Sequence, residues 1–192
     1  MKRVCVQCGS NPGFAPVYLE AARELGRVLG RQRLELVYGG AAVGLMGAVA
    51  DEALTAGARV IGIIPESFAH RIAHLRLTEL HVVPGMHERK AMMFERSDGF
   101  VALPGGYGTL DEVFEVLTWA QLGFHQKPCG LLNVNGYFNR LIGFLDHAAA
   151  EGFLKPAHRE MLLVEDTPAA LLERLAGYHP PQVDKWMEKT RM

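Results

Sequence analysis

The chain has 192 residues, 49% of them apolar, with 20 basic and 21 acidic side chains and a formal net charge of −1. That length predicts a single domain with a sizeable core. The balanced charge, with no long basic run and no aromatic-plus-arginine patch, argues against nucleic acid or an anionic membrane surface as a partner.

The opening "MKRVCVQCGS" is basic, but its apolar run is too short for a signal peptide. No stretch is long and apolar enough to span a bilayer, so a soluble cytoplasmic protein is expected. "KRVCVQC" predicts a first strand, followed by the turn "GSNPG". "APVYLEAARELGRVLGRQ" places Tyr18, Leu25 and Leu29 on one helical face. "LELVYGG" is a strand ending in glycines, and "VGLMGAVADEALTAG" a small-residue helix closed by Gly57. "ARVIGIIP" is a third strand, stopped by Pro65, and "SFAHRIAHLRL" is less regular. "ELHVVPG" predicts a short strand, "MHERKAMMFERS" a helix, "GFVALPGG" a strand and "TLDEVFEVLTWAQLGFHQ" a long helix. "KPCGLLNVNG" predicts a sixth strand and "YFNRLIGFLDHAAAEG" a helix stopped by Gly152. "MLLVED" is a last strand, and Thr167 is placed to cap "PAALLERLAG", with Pro168 at its first position.

This alternation, with near-continuous apolar strands, predicts an α/β fold. It is a Rossmann-like, doubly wound, mostly parallel sheet with helices on both faces. The expected single domain runs over residues 1–178, with a polar C-terminal tail at 179–192. Ligands of such sheets sit beyond the carboxyl ends of the strands. There "CGSNPG", with Ser10, "YGGAAVG", with Gly40, "IPES" and "PGGYGT" should converge on one crevice.

Cys5 and Cys8 form a CxxC, but three residues along a strand they face opposite ways, so small buried side chains are the better reading than a redox or metal pair. Cys129 reads the same way. His70, His74, His81, His87 and His125 form no evident ligand set, and no metal is expected.

"PGGYGT" leads from a strand into a helix, whose free N–H groups and dipole favour an anion. Gly105, Gly106 and Gly108 remove Cβ atoms and permit positive φ, so the backbone around Tyr107 could wrap a phosphate. Thr109 and Glu112 have capping-box spacing, so a structural and a catalytic role for Glu112 are both open on spacing alone. Neither a Walker A sequence nor GxGxxG is present, which points to a mononucleotide or sugar phosphate rather than a dinucleotide. Arg89 and Lys90 lie on a helix leading into the strand before this loop, where a guanidinium could clamp a phosphate or a ribose hydroxyl.

Taken together, "CGSNPG", "LVYGGAAVGLMGAVADEAL", "VIGIIPESF", "GMHERKAMM" and "LPGGYGTLDEVFEVLTWAQLG" resemble the LONELY GUY family. The resemblance implies a homodimer of Rossmann-like subunits. It also implies hydrolysis of the N-glycosidic bond of nucleoside 5′-monophosphates, either cytokinin riboside 5′-monophosphates or AMP. It places a catalytic pair on Arg89 and Glu112. Substrate contacts fall on Lys90, on the loop from Gly105 through Gly106, Tyr107 and Gly108 to Thr109, and on Thr118. Members have often been labelled lysine decarboxylases, but no lysine here has a pyridoxal-phosphate setting, and no cofactor is expected. Two positions depart from the family: Ala41 replaces a third glycine, and Arg71 or Ile72 stands where many members carry a substrate-holding glutamate. The rival expectation is a non-catalytic nucleotide or molybdenum-cofactor carrier on the same fold.

Overall fold

The computed structural model describes residues 1–181; residues 182–192 of the expected tail lie outside the described residues. In chain order the elements are β1 (Arg3–Gln7), α1 (Pro16–Arg31), β2 (Glu35–Tyr38), α2 (Gly44–Thr55), β3 (Val60–Pro65), α3 (Glu66–Ile72), β4 (Glu79–Val83) and α4 (Met86–Glu95). Then follow β5 (Gly99–Ala102), α5 (Tyr107–Gln121), β6 (Cys129–Leu132), a 3-10 turn (Val134–Gly136), α6 (Asn139–Ala150), α7 (Pro156–Arg159), β7 (Leu162–Glu165) and α8 (Pro168–Ala176).

The seven strands form one sheet in the order β4-β3-β2-β1-β5-β6-β7. Every adjacent pair is parallel, so "mostly parallel" becomes wholly parallel. β3 shows why the strands read as unbroken apolar runs: all six residues of VIGIIP are buried, as in a sheet covered on both faces. One core joins Val4, Val6, Leu36 and Tyr38 to Leu25 and Leu29 of α1, Leu45 and Val49 of α2, and Leu171 of α8. The other joins Cys5, Val37, Ile63 and Phe100 to Met93 of α4, Val113 and Val116 of α5, and Leu145 of α6. Cys5, on β1, and Cys8, just past its end, therefore fall in opposite cores. Burial raises both thiols and pushes Cys129 up to about 12, so all three are inert apolar fillers.

Three local expectations change. The irregular "SFAHRIAH" stretch forms α3, held to the turn after β2: Ala42 N–H donates to the Ile72 carbonyl at 2.8 Å and His74 N–H to the Gly40 carbonyl at 2.9 Å. "KPCGLLNVNG" is a strand only to Leu132, because Asn135 (φ 51) and Gly136 (φ 67) turn the chain sharply. Thr167 occupies the N-cap of α8, yet its side chain makes no capping bond; Pro168 does open the helix.

The chain winds from β1 out to the edge strand β4, and α4 then carries it back to β5 beside β1. That reversal is the switch point where such sheets leave a crevice. The two turns that leave it are bonded together: Leu103 N–H donates to the Gln7 carbonyl at 2.9 Å and Gly9 N–H to the Pro104 carbonyl at 3.0 Å.

Candidate active site

A cleft of about 630 Å³ opens at this switch point, within the size range of small-ligand sites. Its polar side carries Ser10, Asn11, Arg89, Thr109 and Glu112, and its apolar side Tyr18, Ile64, Phe68, Ile72, Met86 and Tyr137. All four turns expected to converge contribute to it.

The floor is the start of α5, and here the sequence expectation needs correction. The helix begins at Tyr107, with Gly106 as N-cap and no side-chain cap. Thr109 therefore stands inside the first turn rather than at the cap, and no Thr109–Glu112 capping box forms. The first-turn N–H groups of Tyr107, Gly108 and Thr109 have no intrahelical acceptor, because a helix start cannot supply one. None of Gly105, Gly106 and Gly108 adopts positive φ. They serve by lacking bulk. A Cβ on Gly105 would lie 2.0 Å from Thr109 Oγ1 and 2.9 Å from the Gly9 nitrogen. A Cβ on Gly106 or Gly108 would meet no protein atom within 4 Å, so internal packing does not demand glycine at either position.

Arg89 and Glu112, from α4 and α5, meet beside this floor. Arg89 Nη1 donates to Glu112 Oε1 at 2.5 Å, and Arg89 Nε donates to the Ile63 carbonyl at 3.3 Å. Both residues are at least nine-tenths buried. A charge this deep is tolerated only when paired and hydrogen-bonded. Burial raises the Glu112 carboxyl above its ordinary range, with Arg89 pulling the other way. Room for the guanidinium comes from Gly39, where a Cβ would sit 2.1 Å from Arg89 Nη2.

Other expected contacts lie elsewhere. Lys90, one residue on, turns away from the cleft and donates to Asp111 Oδ2 at 3.1 Å and Glu115 Oε1 at 3.0 Å. Desolvation acts to lower its pKa, but these two hydrogen bonds outweigh it and the ammonium is held in its charged form. Thr118 is exposed and lines a separate small cavity with Phe114 and His158. Gly40 does not line the cleft; it is buried at φ 74 and sets the turn that receives α3. Ser10, Gly105, Gly106, Tyr107, Gly108 and Thr109 all line it, and Tyr107 is almost fully exposed at its mouth. Met86 lines the cleft, whereas Met93 is core, Met92 packs against that core, and Trp119 packs edge-on to Phe94 with centroids 5.0 Å apart. His87 and Arg71 are exposed outside the lining, whereas Ile72 is part of it. No lysine lines the cleft. Among the described residues no group of three or more His, Cys, Asp or Glu could hold a metal ion.

Sequence reasoning missed Gly39, Tyr18, Phe68 and Tyr137. The Tyr137 hydroxyl donates to the Gly105 carbonyl at 2.7 Å, and its ring meets Tyr18 edge-on at 5.7 Å. The Asn135–Gly136 pair was the available signal, since it reads as a turn that ends the strand early and aims the next residue elsewhere.

Fold and cleft together define a Rossmann-like α/β protein built to hold a small ligand at the strand switch point. Residues 46–175 match the family described as "possible lysine decarboxylase". The chain is 48% identical over 191 residues to a probable cytokinin riboside 5′-monophosphate phosphoribohydrolase of Oryza sativa subsp. japonica, covering 99% of this chain and 78% of that protein. It is 54% identical over 165 residues to the cytokinin riboside 5′-monophosphate phosphoribohydrolase of Rhodococcoides fascians, covering 85% and 83%. The chain belongs to this family, the LONELY GUY family. Among solved structures, the molybdenum cofactor binding protein of Rippkaea orientalis shares the fold, with a TM-score of 0.71 at 24% identity over 92% of this chain and 97% of that one.

Proposed function

We infer that this protein hydrolyses the N-glycosidic bond of nucleoside 5′-monophosphates, with cytokinin riboside 5′-monophosphate or AMP as substrate, giving free base and ribose 5-phosphate. The observation that carries this reading is the buried Arg89–Glu112 pair opening onto a cleft beside the uncapped start of α5, in a chain of this family. The 5′-phosphate sits on the N–H groups of Tyr107, Gly108 and Thr109, where dipole and free donors favour an anion. The bare Gly106 and Gly108 let it approach the backbone. Ser10 flanks it from the neighbouring turn.

Bond cleavage builds positive charge at C1′ and the ring oxygen. An ionised Glu112 stabilises that charge and accepts a proton from the attacking water. Arg89 spends two of its five N–H donors on Glu112 and Ile63. The remaining donors, without a partner among the described residues, can fix the sugar or polarise the departing base. Fixed positioning of this kind supplies roughly 7–11 kcal/mol in the best cases. The apolar side, with Phe68, Ile72, Met86 and Tyr18, takes the base. No metal or organic cofactor enters these steps.

Residues 1–178 act as one nucleotide-binding catalytic domain, in the cytoplasm and as a homodimer. Phe124, Phe144 and Phe153 are exposed and suit a partner subunit. In such a dimer Thr118, outside its own cleft, could reach ligand only across the interface.

Incubation with AMP and with isopentenyladenosine 5′-monophosphate, followed by assay for free base, tests the activity. Release of adenine or its prenylated form is expected. If neither is cleaved while a nucleotide still raises the melting temperature, the carrier reading replaces this one.

A further inference from the structure

Glu112 lines a second cavity besides the cleft. This one leaves only about 10 Å³ for the centre of a water-sized molecule, and its polar lining comes from Gln7, Lys90, Glu112 and Glu115. A single water needs about that much room, together with two to four polar partners. Met93, Phe100 and Trp119 supply apolar wall.

Gln7 is the last residue of β1 and points to the same side of the sheet as Cys5, the side that α5 covers. It is 4% exposed, and its Oε1 is buried with no hydrogen-bond partner among the described residues. An unpartnered amide oxygen in a protein interior is destabilising, a cost that an apolar side chain would avoid. Lys90 presents the complementary feature. Its ammonium carries three N–H groups, of which Asp111 and Glu115 take two, and no third protein acceptor is present among the described residues. One unfilled acceptor, one spare donor and a carboxylate thus face a space the size of one water.

We propose that Gln7 is a positioning residue for the Glu112 carboxylate, acting through one buried water that accepts from Lys90 Nζ and donates to Gln7 Oε1 and to Glu112. This fills the open acceptor of Gln7 and the spare donor of Lys90, and gives Glu112 a second donor besides Arg89. It also gives Lys90, which turns its back on the cleft, a part in the same centre. Without Gln7 the water has one anchor fewer, and Glu112 can turn about its side-chain torsions away from Arg89. A bond donated to the ionised carboxylate favours that form, opposing the burial that disfavours it. The other charged and titratable groups around Glu112 are Arg89 and Lys90 from α4, Asp111 and Glu115 from its own helix, and the thiols of Cys5 on β1 and Cys8 just past its end, which burial keeps neutral.

The inference rests on Glu112 working as a carboxylate in the proposed hydrolysis, and its test separates the two. Gln7→Met keeps length and removes the polar end. With AMP as substrate, the acid limb of kcat/KM against pH should move up by about one pH unit. KM at high pH should stay within a few-fold, and the melting temperature should hold or rise. In parallel, a high-resolution crystal structure of the unaltered protein should show a water within hydrogen-bond reach of Gln7 Oε1, Lys90 Nζ and Glu112, absent in Gln7→Met. An unmoved acid limb in an active, folded variant overturns the proposal, as does a cavity without water or a Gln7 amide bonded elsewhere. If the unaltered protein cleaves no nucleotide, the hydrolase reading fails, and the crystal structures alone decide the role of Gln7.

Discussion

Arg89 and Glu112 stand 23 positions apart in sequence and meet at 2.5 Å, nine-tenths buried. Removing either leaves the other charge stranded, so each variant separates differently into stability and chemistry. Arg89→Ala should lower stability by about 3–5 kcal/mol, read by chemical denaturation, and reduce turnover with it. Glu112→Gln keeps the shape and should lower kcat by about 10²–10⁴-fold while nucleotide binding, read by calorimetry, persists. Because burial raises the Glu112 carboxyl and the chemistry needs it ionised, kcat/KM should fall as pH drops through that raised value. The limb therefore lies above the range of an ordinary glutamate. Gly39→Ala is a probe that removes neither charged residue. Its Cβ would lie 2.1 Å from Arg89 Nη2, so the guanidinium must shift and turnover should fall by more than stability does.

At the scale of elements, the start of α5 sets a helix preference against a ligand. Gly108 lies in the first turn, and an added Cβ would meet no protein atom within 4 Å. Gly108→Ala should therefore stabilise the fold by up to about 1 kcal/mol through helix propensity. If the phosphate packs on this turn, the same methyl should raise KM for nucleotide. Strand and helix positions were legible in the sequence because β3 and β5 are unbroken apolar runs, β1 is apolar from Val4 to Val6, and α1 keeps Leu25 and Leu29 on one face. The cap of α5 was not. Thr109 and Glu112 have ideal capping spacing, but the chain enters the helix three residues earlier, with Gly106 at the cap, where glycines bring it against the Gly9 turn. That close approach is a tertiary constraint invisible to local spacing. Tyr137 escaped for a similar reason: its bond to Gly105 joins turns after two different strands.

For the whole molecule, the strand order places the crevice. Only the return of α4 from the edge strand β4 sets β5 beside β1, and with it the turns that carry Gly9 and Gly105. The alternation of elements announced a doubly wound sheet, and the motifs announced its family. The sequence could not show that Lys90 faces Asp111 and Glu115 instead of the cleft, because adjacent positions on a helix point about 100° apart and only packing decides which one enters. None of the helices among the described residues is long and apolar enough to cross a membrane. The proposed homodimer would cover exposed Phe124, Phe144 and Phe153, and on that proposal sedimentation at micromolar concentration should give twice the mass of the 192-residue chain. A strict monomer would remove the dimer from the account.

The central claim is that the uncapped start of α5 seats the 5′-phosphate and so brings C1′ to Glu112. A crystal structure of the Glu112→Gln variant with AMP bound tests it most directly. The expected result is phosphate oxygens on the N–H groups of Tyr107, Gly108 and Thr109, with the anomeric carbon beside residue 112. A nucleotide bound with its phosphate away from this turn would contradict it.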